Sequence, residues 1–161
     1  HFADKKNVEL FERNKVFTER EVRSRMEIML ENYSKVLTIE ALTMIEMAKK
    51  DIYPAVNEYL SELCSAAYRK EQMGGGAKAD RELIQKLSAD NEAMYYAAGE
   101  IEHLLAQAKE AGGAEKTARF FADKVIPVMQ RLRAHADEME LNTAKKYWPF
   151  PTYGDILFSV S

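Results

Sequence analysis

"KADRELIQKLSADNEAMYYAAGEIEHLLAQAKEA", residues 78–111, decides the fold. Ile84, Leu87, Asn91, Met94, Ala98, Ile101, Leu105 and Ala108 recur at alternating steps of four and three. That spacing lines one face of an α-helix. A seam so regular needs helices packed against it. Its single polar member, Asn91, is of the kind that fixes register at some cost in stability.

Glycine breaks bound this helix on both sides. "MGGGAK" (73–78) is a turn, not a phosphate loop, because it lacks the spacing and the Ser/Thr of a GxxxxGK[ST] motif. "AGGAE" (111–115) ends the helix and starts the next. Short connections make consecutive helices antiparallel neighbours.

Upstream, Thr18 and Glu21 have the spacing of a capping box, and no glycine follows until Gly74. Val22, Met26, Met29, Tyr33 and Val36 make one apolar series. Ala41, Ile45, Ala48, Ile52, Ala55 and Tyr59 make a second in a shifted phase. Between them "VLTIEALTMIEMA" (36–48) is apolar nearly all round, which predicts a segment enclosed by neighbours. Pro54 removes a backbone donor and predicts a kink or split there. Downstream, Ala118, Phe121, Val125, Val128, Leu132, His135 and Met139 form a third seam that contains Pro127, a second bend.

The expected fold is therefore all-α. It is an antiparallel bundle of three long helices, the first longest and kinked near Pro54 and overhanging the others with an apolar face. A short amphipathic helix within residues 4–14, with Val8 and Phe11 on one face, precedes it. An extended aromatic arm follows. The expected organisation is a lead-in over 1–17, a helical bundle over 18–146 and the arm over 147–161.

Composition narrows the function classes. The 161 residues carry a net charge of −3, which leaves no global basic footprint for nucleic acid. No run approaches the ~20 apolar residues needed to span a bilayer. One cysteine, Cys64, allows no internal disulfide and no Cys-rich metal site. A reducing compartment follows, and a cytoplasmic location is expected. The chain begins at His1 without a Met, which reads as a processed or truncated product.

Catalytic constellations are sparse. A di-metal bundle site needs two ExxH motifs and two further Glu residues. Glu100 and His103 supply one ExxH and there is no second. His135 lies on a core seam and reads as a satisfied, half-buried histidine. Glu40 and Glu46 interrupt the apolar stretch and are expected to point outward or pair with a Lys or Arg. Cys64 reads as a small buried apolar group. Arg131, Arg133 and His135 make a small basic run, but Asp137 and Glu138 follow, so it reads as a solvated face. The methionines Met26, Met29, Met44 and Met47 read as core filler. No catalytic, cofactor-binding or metal-binding residue is assigned.

The chain ends "KKYWPFPTYGDILFSVS" (145–161). Pro149 and Pro151 stop the third helix at about Tyr147. "ILFSV" (156–160) has the composition of a short strand. Two readings of the arm stand side by side: it lays its aromatic groups on another surface, or it folds back over the bundle's own end.

"ENYSKVLTIEALTMIEMAKKDIYPAV" (31–56) and "KKYWPFPTYGDILF" (145–158) closely resemble the C-terminal region of bacterial type III glutamine synthetases. "NVELFERNKVFTEREVRSRMEIMLENY" (7–33) fits the stretch leading into it, and the likeness is looser between about 60 and 130. The resemblance implies a parent enzyme that makes glutamine from glutamate, ammonia and ATP with divalent Mg or Mn. It implies a catalytic site in an upstream barrel-like domain, at contacts between subunits of a ring-shaped homo-oligomer. It carries no catalytic residue onto this chain. What it implies here is a helical C-terminal domain with a structural, assembly or regulatory role, partnered by the catalytic domain and neighbouring subunits. Trp148, Phe150, Tyr153 and Phe158 would then anchor the arm on that body. The competing reading is a free-standing helical adaptor that binds a protein through its overhang and tail.

Overall fold

Helix α4, Lys78–Ala108, carries the seam read from the sequence. Leu87, Asn91, Met94, Ala98, Ile101, Leu105 and Ala108 are all buried, and Ile84 is half-buried. The computed structural model describes residues 2–151 and 153–157. Among them there is no strand. The remaining helices are α1 (Lys5–Arg13), α2 (Glu19–Glu46), α3 (Tyr53–Gln72), α5 (Ala114–Phe120), α6 (Ile126–Asn142) and α7 (Tyr153–Leu157).

Both interior prolines have the same solution. A π-helical segment, Met47–Ile52, joins α2 to α3, and a second, Phe121–Val125, joins α5 to α6. The amide of Tyr53 donates to the Ala48 carbonyl and that of Ile126 to the Phe121 carbonyl, each five residues back. Proline has no amide, and its ring crowds the carbonyl four residues before it. A widened turn just ahead of Pro54 and Pro127 relieves that crowding and lets the helix continue.

The widened turn also resets the seam. It inserts one extra residue, so Val56 and Leu60 are buried where a uniform helical repeat points to Ala55 and Tyr59, which are half-buried. Upstream the buried stripe is Val22, Ser34, Ala41, Ile45 and Ala48, with Met26 and Leu30 half-buried. It is one continuous stripe, not two faces. The stretch 36–48 is not enclosed: Val36 is 54% exposed, Ile39 65% and Leu42 53%. Apolar composition all round did not bring neighbours to all sides.

The chain forms two compact units, His1–Ala41 with His103–Pro127, and Leu42–Glu102 with Val128–Ser161. In the first, α2 opens on the predicted capping box. Thr18 N–H donates to Glu21 Oε2 at 2.8 Å and Glu21 N–H to Thr18 Oγ1 at 3.3 Å. The Thr18 amide holds the Glu21 carboxyl below its ordinary range. Helix α1 buries Val8, and Phe11 stacks between Phe2 and Phe17 at 5.6 and 5.8 Å. The Arg25 guanidinium covers Phe17 at 4.5 Å. Lys15, with φ 55°, makes the left-handed turn between α1 and α2.

In the second unit, polar rungs fix the helix directions. Lys49 pairs with Glu102 at 2.6 Å, Asn91 Nδ2 donates to the Tyr53 carbonyl at 3.3 Å, and Lys70 pairs with Asp80 at 2.8 Å. Positions on α4 fall as positions on the π-segment and α3 rise, so the two run antiparallel. Arg131 with Glu100, His135 with Asp90 at 3.0 Å and Lys86 with Glu138 at 2.8 Å do the same for α6 against α4. Between the rungs lie Val56, Leu60, Leu87, Met94, Leu132 and Met139, all buried. This is an antiparallel three-helix arrangement within one unit.

Helix α6 stops at Asn142, about a turn earlier than expected. Asn142 Nδ2 donates to the Glu138 carbonyl at 2.7 Å, a local bond of the kind that competes with helix continuation. Pro149 is therefore not what ends it.

The Lys86–Glu138 rung makes a pH prediction. The hydrogen bond from Lys86 holds the Glu138 carboxyl below its ordinary range, and the one to Glu138 holds Lys86 above its own. A depressed carboxyl contributes stability above its unfolded value and loses it as pH falls through the folded one. A raised ammonium contributes below its unfolded value and loses it as pH rises through the folded one. Glu138→Gln should therefore lower the melting temperature slightly at neutral pH. The difference should close as pH falls below the carboxylate range. A difference that persists in acid would show that the variant disturbs packing instead.

Candidate interaction site

As far as Pro151 the aromatic arm lies on the helices of its own unit. After α6, Lys145–Tyr147 forms a turn, closed by a bond from Tyr147 N–H to the Ala144 carbonyl at 2.8 Å. Tyr147 packs on Tyr59 at 5.2 Å and its hydroxyl donates to Glu62, which Lys146 also reaches at 2.9 Å. This clamps the arm to α3. Trp148 and Phe150 then meet edge to face at 6.3 Å.

Both rings are half-buried and line a cleft of about 330 Å³ with Met44, Met47, Ile52 and Leu132. Arg133, Asp137 and Glu140 form its polar side. Folding the arm back buries part of two large rings without needing a second molecule. The remaining surface of each stays open to solvent. Further along the arm, Ile156 and Leu157 lie in α7 and not in a strand, and Lys145 pairs with Asp155. The backbone of Tyr153 opens α7. Its side chain, and Phe158 with the rest of 158–161, lie outside the described residues.

In the first unit, α2 exposes a second apolar surface. Ile28 (54%), Met29 (58%), Val36 (54%) and Ile39 (65%) face solvent along one side, with Tyr33 at its edge. Met29 is thus a surface residue and not core filler. The buried stripe of α2 runs along the opposite side, so this face is left over after the helix has satisfied its own unit.

The other singled-out residues are occupied or exposed. Glu100 is taken by Arg131, and His103 sits on the surface with Nε2 3.0 Å from Gln107. His135 is half-buried against Asp90, as the seam implied. Glu46 is held by Lys50 at 2.7 Å, and that hydrogen bond lowers its carboxyl pKa. Glu40 points outward. Cys64 is exposed, contrary to the buried role expected of it. Leu60, Leu63 and Ala67 take the inward positions of that stretch of α3, and Cys64 falls beside them.

Among the described residues no three His, Cys, Asp or Glu side chains converge as a metal site. Glu46, Glu62, Glu100, Glu102 and Glu138 each answer a lysine or arginine. No helix among the described residues is long and apolar enough to cross a membrane.

Residues 1–71 match the glutamine synthetase C-terminal domain family. The chain is similar to a glutamine synthetase of Butyrivibrio fibrisolvens, 35% identical over 99% of this chain and 23% of that protein. It is similar to a glutamine synthetase of Bacteroides fragilis (strain YCH46), 24% identical with the same coverage. It is also similar to a type-3 glutamine synthetase of Dictyostelium discoideum, 28% identical over 95% of this chain and 22% of that one. The chain thus spans about a quarter of the length of the curated relatives it matches.

Trp148 is the sole tryptophan and reports directly on the arm. Met47→Ala should shift its fluorescence to the red and raise its quenching by acrylamide, because Met47 lines the same cleft. Ile39→Ala should leave both unchanged. Truncating Trp148 to Ala should destabilise the unit by ~2 kcal/mol, below the ~3–5 kcal/mol of a fully buried ring.

Proposed function

We propose that this chain, whose residues 1–71 match the glutamine synthetase C-terminal domain, serves as the non-catalytic helical part of a type III glutamine synthetase. The observation that carries this is the pairing of near-complete coverage of the chain with about a quarter of each relative's length. The parent activity would be ATP-dependent ligation of ammonia to glutamate with a divalent Mg or Mn ion, in the cytoplasm. Those groups would be held by other parts of the parent.

The role of this part is assembly. The apolar face of Ile28, Met29, Val36 and Ile39 and the open side of Trp148 and Phe150 are the surfaces that would meet the catalytic body or a neighbouring subunit of a ring-shaped homo-oligomer. Tyr153 and Phe158 belong to the same proposed anchor. Isolated apolar residues are common on surfaces, but a row of them on one helix face is a feature of contact sites.

The test is made in the full-length enzyme. Ile28→Ser with Val36→Ser, and separately Trp148→Ala with Phe150→Ala, should loosen the oligomer in sedimentation velocity at micromolar protein and lower its melting temperature. An unchanged assembly and melting profile in both variants would refute the assembly role. A native protein no larger than 18.4 kDa in its source cells would instead favour a free-standing helical adaptor.

A further inference from the structure

The exposed side of α2 repeats in sevens. With Met29 and Val36 at the first position of a heptad, Asn32 and Ile39 take the fourth. These are the positions that meet along the seam of two paired helices. All four are exposed. Ser34 and Ala41, in the buried stripe of the helix, fall at the sixth position, on the far side of the same turns. The seam has a definite start. Val22, one heptad before Met29, is buried in its own unit, and Arg25, the seam position after it, lies over the Phe17 ring at 4.5 Å. From Met29 to Ile39 the seam stays within the first unit.

The flanks identify the partner. Ile28 and Lys35 stand at the seventh position, Tyr33 and Glu40 at the fifth. In a parallel pair in register, a seventh-position side chain lies beside the fifth-position side chain five residues on in the other helix, and charges there set partner and orientation. Applied to two copies of α2, this matches Ile28 with Tyr33 and Lys35 with Glu40, apolar with apolar and cation with anion. Two-fold symmetry makes each match twice. An antiparallel pair would set seventh beside seventh and fifth beside fifth, so Lys35 and Glu40 would not meet. Lys35 reaches Glu31 of its own helix at 3.4 Å, but that pair is exposed and worth little in water. Asn32 falls opposite itself, and a slip of one heptad would set its amide against Ile39. A single polar seam residue of this kind fixes register.

We propose that this face of α2 pairs with the same face of a second copy of the chain, parallel and in register. Met29, Asn32, Val36 and Ile39 form the shared seam, and Lys35 of each copy pairs with Glu40 of the other. The stretch from Ile28 to Glu40 spans about 20 Å of helix. Two heptads are too short to hold a dimer unaided. The pairing therefore rests on the assembly role, in which other contacts of the parent bring the copies together.

The test is a dilution series of the full-length enzyme in sedimentation velocity. Lys35→Glu and Glu40→Lys each set like charges together twice per pair, and each should raise the concentration of half-dissociation about fivefold. Both positions are exposed, so the fold is kept. The double variant, Lys35→Glu with Glu40→Lys, should return to within about twofold of the parent. An equimolar mixture of the two single variants should do the same. Residues five apart on one helix do not face each other, so no contact within a chain accounts for that return. Single variants that assemble as the parent does, or a double variant as weak as the singles, would overturn the pairing. If Ile28→Ser with Val36→Ser then still loosens the oligomer, the assembly role stands and the face meets a different surface. If it does not, the face has no part in assembly.

Discussion

A missing amide is the constraint on which this structure turns. Pro54 and Pro127 each interrupt a helix whose flanking sequence is otherwise strongly helical. A break at either point would leave carbonyls unserved and end the seam. The chain instead widens into a π-turn just before each proline, with bonds from Tyr53 to Ala48 and from Ile126 to Phe121. Continuity of the long helices follows, and so does the side each later residue presents. Val56 and Leu60 are inside because the turn before them holds one residue more.

The seams supply the cohesion and the charges supply the direction. Leu87, Met94, Ile101 and Met139 are fully enclosed and contribute most of the stabilisation, since burial of such side chains is the dominant favourable term. The ion pairs across α3, α4 and α6 are largely exposed, and each is worth little in water. Their value is in register. Reversing a helix, or sliding it by a turn, would set Lys86 or Arg131 away from its carboxylate. Asn91 adds a buried polar bond that only one alignment of α4 against Tyr53 and Asn57 satisfies.

Two surfaces stand out among the described residues, one in each unit. The α2 face is a row of exposed apolar side chains, which suits association with another protein surface. The Trp148–Phe150 cleft is smaller and already half-closed by the arm's own fold. Tyr147 and Lys146, both directed at Glu62, hold the arm at a fixed point before those rings. The rings are thus presented from a rigid base, which reduces the entropy lost when they are covered further.

The sequence alone determined the all-helical class, the α4 seam with its single buried amide, the capping box at Thr18 and Glu21, and the glycine turns. These depend on neighbours three or four residues apart, and that information is local. It also carried the likeness to glutamine synthetases in two long motifs. Only the tertiary structure decided how the prolines were absorbed, which phase the seam took beyond them, and where α6 ended. It alone exposed Cys64, Met29 and the face of α2, and brought Trp148 against Met44 and Met47. Those outcomes depend on which elements stand beside a residue, and apolar composition says only that burial is favourable, not that a partner is present.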